Sequence, residues 1–174
     1  MRIKLIALFA ALTIAWVLKG HYSSARADDL LWILTPTARL VGVVSGVSFT
    51  LQPGEGYFSR ERLFLIEKSC AGVNFMIAAF VMLVSAHFHH VRSLGAVPRV
   101  LGISLVAAYI GAVVANAVRI TVAMWLAAHA AMLSPFTPAA VHRLEGIVVY
   151  FGGLVVLFEI SQRLDRCAAA RCRS

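Results

Sequence analysis

Long apolar stretches separated by short polar segments run along the chain. The first stretch follows Arg2 and Lys4 and ends at Leu18, which is typical of an uncleaved first membrane span or of a signal peptide. We favour the uncleaved span. Residues 70–88 predict another apolar helix, and residues 139–160 predict a last one. Each stretch approaches the ~20 residues that an α-helix needs to cross a bilayer.

Residues 100–133 form an apolar run that is too long for one span, and Asn116, Arg119 and His129 interrupt it. We predict one span that ends near Arg119. For residues 121–133 three forms remain open: an interfacial helix, a re-entrant helix, or a rigid extension of the preceding span. Each of these avoids a second full crossing.

Residues 30–51 are mostly apolar but contain Pro36 and Arg39. A charge in the middle of a span costs at least about 2.5 kcal/mol, so we predict that this segment does not cross completely. Residues 52–69 are polar and read as a loop. The predicted fold is therefore an all-α, polytopic membrane bundle with about four full spans and one or two interfacial or re-entrant helices.

Composition supports a membrane location. Of the 174 residues, 60% are hydrophobic and only 14% are charged, and the mean hydropathy is +0.83. The formal net charge of +8 comes from basic residues that flank the apolar stretches. This arrangement favours contact with anionic lipid headgroups. The sequence has no long basic run interleaved with aromatic residues, which argues against nucleic-acid binding.

We predict one transmembrane domain over the whole chain, with an N-terminal span and loop (1–29), a core (30–162) and a basic tail (163–174). The last span is followed by four arginines: Arg163, Arg166, Arg171 and Arg173. Basic residues beside a span favour the cytoplasmic side. We therefore predict a multi-pass protein of the cell (inner) membrane whose opposite face lies outside the cytoplasm.

Helix lengths predict that three polar residues share one membrane depth. Cys70, Arg119 and His142 each lie about 27–30 Å of helix away from the 87–99 loop or the basic tail. If the loop and the tail share one face, these three residues meet at the other. Cys70 and His142 can do so only if residues 121–133 do not cross completely.

Cysteine, arginine and histidine at one depth form a candidate catalytic set. A cysteine attacks as its thiolate, and Cys70 lies near a helix start that favours an anion. His142 would be the general base and then the general acid, and His129 is its rival. Arg119 would stabilise an oxyanion or the thiolate, or bind a substrate carboxylate, and the sequence leaves these roles open.

Supporting polar residues follow at helical spacing. Asn74 lies four residues after Cys70, Asn116 lies three before Arg119, and Glu145 lies three after His142. We expect Glu145 to orient the imidazole of His142 or to favour its charged form. Two nearby glycines, Gly72 and Gly146, would let helices approach closely.

The same residues occur in three segments: Ser69-Cys70-Ala71-Gly72-Val73-Asn74-Phe75, Asn116-Ala117-Val118-Arg119-Ile120 and His142-Arg143-Leu144-Glu145-Gly146. Together the segments resemble the exosortase/archaeosortase family, most of all its compact exosortase K branch. The resemblance implies a membrane thiol protease or transpeptidase for protein sorting. Its catalytic residues would be Cys70, Arg119 and His142. Its substrates would be exported proteins that end in a short motif, an apolar span and a basic tail.

Other functions are also compatible with the sequence. A non-catalytic membrane scaffold or a transporter subunit is the main alternative, whereas a thiol oxidoreductase would need a second cysteine near Cys70. Cys167 and Cys172 lie in the arginine-rich tail and are taken as incidental. The histidines of the 87–90 segment favour a solvated loop over a metal site, and we expect neither a metal nor a cofactor.

Overall fold

The computed structural model of the protein describes residues 2–129 and 138–171, apart from the side chains of 138–142, 168–169 and 171. The described chain is mostly helical, with three short strands and three single 3₁₀ turns. The helices are α1 (Arg2–Ser24), α2 (Leu31–Ser45), α3 (Val73–Ala86), α4 (Ala96–Ala128) and α5 (Pro138–Arg171). The strands are β1 (Thr50–Gln52), β2 (Gly56–Ser59) and β3 (Phe64–Ile66).

Within the described residues, four helical segments are long and apolar enough to cross a membrane: Arg2–Ser24, Lys68–Ala86, Ala96–Ala128 and Arg143–Cys167. Their number matches the predicted four spans. Helix α2 has 15 residues and is not among them. At 1.5 Å per residue it is roughly 22 Å long, shorter than the ~30 Å hydrocarbon core. Its length agrees with the expectation that residues 30–51 do not cross.

Helix α3 lies at the centre of the bundle and contacts α1, α4 and α5. Its buried side chains include Met76, Phe80 and Leu83, each at most 2% exposed. Helix α1 packs on α3, and its buried residues are small alanines one turn apart: Ala7, Ala11 and Ala15. Large apolar side chains such as Phe9 and Trp16 point outward. An apolar exterior around a packed centre is what a lipid environment requires.

For the described part of residues 121–133, the structure decides among the three predicted forms. Helix α4 continues without a break to Ala128, so residues 121–128 extend the preceding span and do not form a separate interfacial or re-entrant helix. The physical reason is local, because 121–128 contains neither proline nor glycine and nothing there interrupts the backbone ladder. Residues 130–133 lie outside the described part.

The segment predicted as a polar loop, residues 52–69, contains most of a small antiparallel sheet, so the all-α description is incomplete. The strand order is β1-β2-β3, with Leu51 opposite Tyr57 and Phe58 opposite Leu65. Tyr57 also shares a hydrogen bond of 2.8 Å with Thr35 of α2, which attaches the sheet to the helices. Short strands with few alternating positions gave too weak a pattern to predict. Strand β3 leads directly into the segment that carries Cys70.

Candidate functional site

Cys70 ends a 3₁₀ turn, Lys68–Cys70, that joins β3 to α3. Its amide donates to the carbonyl of Glu67 at 2.9 Å, and the residue is 8% exposed. Gly72 follows with φ of +70°, a left-handed conformation that a residue with a side chain rarely adopts. Helix α3 then begins at Val73 without a side-chain cap. Its first amide groups therefore leave a partial positive charge close to Cys70 along the chain.

Asn116 of α4 connects Cys70 to α5. Its amide nitrogen Nδ2 donates to the backbone carbonyl of Cys70, and its Oδ1 accepts a hydrogen bond of 2.9 Å from the hydroxyl of Tyr150. Asn116 is fully buried. A Cβ at Gly72 would lie 3.2 Å from Cβ and Cγ of Asn116, so glycine is what permits this contact. The predicted close approach at Gly72 is confirmed.

Arg119 lies one turn further along α4 and also faces α5. Its Nη1 donates to the hydroxyl of Tyr150 at 3.3 Å, and its guanidinium lies 5.3 Å from the centroid of that ring. Its Nε lies 4.0 Å from Oε2 of Glu145. A Cβ at Gly146 would lie 3.2 Å from the same Nε, which confirms the second predicted close approach. We call Cys70, Asn116, Arg119, Glu145 and Tyr150 the Cys70 cluster.

The cluster contains a positive charge that water screens weakly. The Arg119 guanidinium and Cys70 lie within electrostatic range of each other. The side chains of Arg119 and Glu145 are only 14% and 4% exposed, so water screens their charges weakly. Ionisable residues inside a candidate span are expensive and mark functional sites by default.

His142 is the third member of the predicted catalytic set. Its backbone lies in α5, one turn before Glu145, but its side chain lies outside the described residues. Its proposed role as a base, and that of Glu145 in orienting it, stay predictions. The rival His129 lies just past the end of α4, ten residues and roughly 15 Å of helix beyond Arg119. Its Nδ1 contacts the carbonyl of Trp125 at 2.8 Å.

Asn74 is not brought to the cluster. It is exposed at the start of α3, where its Oδ1 accepts a hydrogen bond of 2.9 Å from Lys19 of α1. Lys68 makes a similar link, because its ammonium donates to the carbonyls of Ser23 and Ala25 at 3.1 and 2.7 Å. These bonds attach the end of α1 to the segment around Cys70.

Sequence reasoning missed Tyr150, which joins Asn116 to Arg119. Its signal was available, because Tyr150 lies four residues after Gly146 and eight after His142, on one face of a helix. A tyrosine within an apolar span normally needs a partner for its hydroxyl. The ring also packs on Phe75 of α3, with centroids 5.4 Å apart.

The opposite end of the bundle holds a second polar group, which we call the histidine cluster: His87, His89, His90 and Asp165. Each histidine Nε2 lies 3.4–3.7 Å from a carboxylate oxygen of Asp165 in α5. This contact supports the prediction that the 87–99 loop and the end of α5 share one face. Helix α5 continues into the predicted basic tail as far as Arg171.

Comparison of the chain with protein-family models, with curated proteins and with solved structures finds no match. The function therefore has to be argued from the residues and their geometry.

Proposed function

We propose that this protein is a membrane-embedded cysteine endopeptidase or transpeptidase that cleaves, and in its transpeptidase mode transfers, the C-terminal sorting signal of exported proteins. One observation carries the proposal most directly. A continuous hydrogen-bonded path leads from the carbonyl of Cys70 through Asn116 and Tyr150 to Arg119. It links the backbone of the candidate nucleophile, in the turn before α3, to a cation through side chains of α4 and α5.

The proposed reaction begins when His142 takes the thiol proton and the Cys70 thiolate attacks the carbonyl carbon of the scissile peptide bond. A carbon–sulfur bond forms and the carbon–nitrogen bond breaks. His142 returns the proton to the departing amine. Water or an acceptor nucleophile then attacks the thioester, releases the acyl group and restores the thiol.

Arg119 has two roles that its position supports. Before attack, its positive charge attracts the negative charge that Cys70 carries as a nucleophile. During attack, the negative charge moves to the carbonyl oxygen of the substrate, and the same guanidinium attracts it. Its contacts with Tyr150 and Glu145 fix the orientation of the guanidinium before the substrate arrives. Preorganised charge of this kind lowers the barrier because it needs no rearrangement during the reaction.

The substrate class follows from the resemblance to the exosortases. A C-terminal signal with an apolar span would place its scissile bond near the membrane surface, where Cys70 precedes the apolar helix α3. We propose that this face lies outside the cytoplasm in the cell (inner) membrane. The apolar outward side chains of the bundle are suited to contact with the span of such a substrate.

The test is co-expression of the full chain with an exported reporter that carries a motif, an apolar span and a basic tail. We expect Cys70→Ser to reduce processing by about 10³-fold or more, since a catalytic nucleophile has no substitute. The matched control is Cys167→Ser, which changes an exposed cysteine far along α5 and should process normally. Reporter processing and membrane levels of each variant are measured together.

A second pair of variants tests the charge. Arg119→Gln should lower processing by about 10²–10³-fold, as expected for loss of an oxyanion-stabilising group. Arg39→Gln changes an exposed arginine of α2 and should have little effect. Normal processing by Cys70→Ser would sink the protease proposal and favour the scaffold or transporter subunit.

A further inference from the structure

The histidine cluster has an unusual arrangement of hydrogen-bonding atoms. His87 Nδ1 lies 2.7 Å from the carbonyl of Leu83, and His89 Nδ1 lies 3.0 Å from the carbonyl of Ala86. A carbonyl only accepts, so each Nδ1 carries the hydrogen. In the neutral ring, Nε2 then has no hydrogen and presents a lone pair. Both of these lone pairs face the carboxylate of Asp165, which is itself an acceptor.

Acceptor atoms that face one another are complementary to a cation. The three histidine rings lie close together, with centroids 4.0–6.5 Å apart. A single metal cation satisfies all the lone pairs at once, and hydrogen-bonded Nδ1 atoms are the usual second contact of metal-bound histidines.

The distances also fit a metal better than hydrogen bonds. The Nε2 atoms of His87 and His90 each lie 3.4 Å from an oxygen of Asp165, and that of His89 lies 3.7 Å away. Charge-assisted hydrogen bonds are shorter, at about 2.7–2.9 Å. Two ligands of a tetrahedral zinc ion, each ~2.0–2.2 Å from the metal, are separated by roughly 3.3–3.5 Å. The Nε2–oxygen distances of His87 and His90 match this distance between two ligands, and that of His89 is slightly longer.

The ligand atoms of His89, His90 and Asp165 all lie within 4.8 Å of one another. The Oδ2 atom of Asp165 is buried and accepts no hydrogen bond from any residue that the structure describes. Beside it lies a cavity of about 370 Å³, lined by residues that include His87, His90, Asp165, Arg99 and Ser104. This cavity gives an ion access and leaves room for a water ligand. Arg99 is exposed, so solvent screens its repulsion of a cation.

We propose that His89, His90 and Asp165 bind a divalent transition-metal ion of the zinc type, with His87 or water completing a tetrahedral site. Three nitrogen and oxygen ligands with one open position suit Zn²⁺. The ion connects the turn between α3 and α4 to α5. The ion therefore holds these two elements together at the end of the bundle opposite Cys70. This metal site does not depend on the proposed protease activity.

The test uses the full chain in detergent without a polyhistidine tag, stripped of metal and titrated with Zn²⁺ against a chromophoric chelator. We expect one Zn²⁺ per chain. Asp165→Asn and His90→Gln should each weaken binding by at least about 100-fold, because loss of even an outer-shell partner costs 10–100-fold. Glu159→Gln, which changes an exposed carboxylate of the same helix, should bind normally. A Cys167→Ser/Cys172→Ser variant should also bind normally.

A second measurement needs no ligand variant. Zn²⁺ should protect the three clustered histidines of the wild-type chain from acylation by diethyl pyrocarbonate, whereas His21 and His129 should react equally with and without the ion. Absence of stoichiometric Zn²⁺ binding would overturn the proposal, as would equal acylation of the cluster in both conditions. Loss of binding in the double cysteine variant would assign the ion to the thiols and also overturn it.

Discussion

The two ends of the bundle contain similar numbers of polar residues but differ in how these are buried and how their donors and acceptors are arranged. In the Cys70 cluster, the polar groups come from the turn before α3 and from α4 and α5, and they are largely buried, with Asn116 fully enclosed. In the histidine cluster, His89 and His90 lie in a short turn and are 57% and 50% exposed. The first end arranges donors toward acceptors, whereas the second arranges acceptors toward acceptors.

This difference has a physical meaning. Donor and acceptor pairs in a low-dielectric interior satisfy one another and hold a fixed geometry, as a catalytic site requires. Acceptors that converge beside an open cavity are complementary to a cation from solution. One end is therefore organised by the fold alone, and the other is completed by a ligand. The predictions below test this difference between the Cys70 cluster and the histidine cluster.

The largest effect on stability is expected at Asn116. Asn116→Ala removes the hydrogen bonds to the Cys70 carbonyl and to Tyr150 and leaves the buried carbonyl without this donor. We expect a loss of about 2–4 kcal/mol in the free energy of unfolding, measured by titration with a denaturing detergent. The matched control is Asn74→Ala at an exposed site, with a loss below about 0.5 kcal/mol. Equal losses would mean that the Cys70 cluster is not specially organised.

Gly72→Ala should come next, at about 2 kcal/mol. The added Cβ meets Asn116 at 3.2 Å, and the left-handed φ of +70° is strained for alanine. Gly46 separates the two causes, since its φ is +68° but a Cβ there meets nothing within 4 Å. Gly46→Ala should therefore cost only about 1 kcal/mol. The same detergent titration measures both variants, and a smaller loss at Gly72 than at Gly46 would contradict the close contact with Asn116.

Zinc should stabilise the histidine end by an intermediate amount. At free Zn²⁺ tenfold above the dissociation constant, binding to the native state adds about 1.4 kcal/mol. Removal of the ion by a chelator should reverse this gain and lower the melting temperature of the wild type. The Asp165→Asn variant should show no response to either treatment. The rate at which iodoacetamide labels Cys70 should be the same with and without Zn²⁺. A large change in that rate would mean that the histidine cluster and the Cys70 cluster are coupled.

The smallest effect on stability is expected for Tyr150→Phe. This change removes the hydroxyl that joins Asn116 to Arg119 but keeps the ring that packs on Phe75. Hydrogen bonds within membrane bundles contribute about 0.6 kcal/mol on average, so we expect a loss of about 1 kcal/mol or less. Processing of the reporter should fall more than stability does, because Arg119 loses its fixed orientation. Tyr109→Phe in the same titration is a control for a hydroxyl bonded elsewhere, to the carbonyl of Trp32.

Much of the fold was predictable because a bilayer restricts the solutions. Apolar stretches of known length indicated the four candidate spans, and a proline and a charge marked residues 30–51 as different. Helix length also predicted that Cys70 and Arg119 would lie at one depth, and both belong to the same buried cluster. The sheet at 50–66 escaped prediction because its strands have only three or four residues each.

The partners within each site were harder to predict. Spacing along one helix identified Asn116 and Glu145, but it could not show that Asn74 faces Lys19 of another helix. It also could not show that Tyr150 bridges Asn116 and Arg119, since rotation of α5 about its axis decides which residues face α4. The same rotation brings Asp165 to the histidines, which the sequence alone presented as a solvated loop.

The sequence by itself determined the mainly helical character of the chain, its four candidate spans and the choice of Cys70 as the thiol to explain. These properties depend on hydropathy, helix rise and chain order, all of which are local. Only the tertiary structure decided which polar atoms meet across helices. That outcome depends on helix rotation and close packing at Gly72 and Gly146. Neither property is encoded in any single segment. Together they pair hydrogen-bond donors with acceptors in the Cys70 cluster and bring metal-ligand atoms together in the histidine cluster.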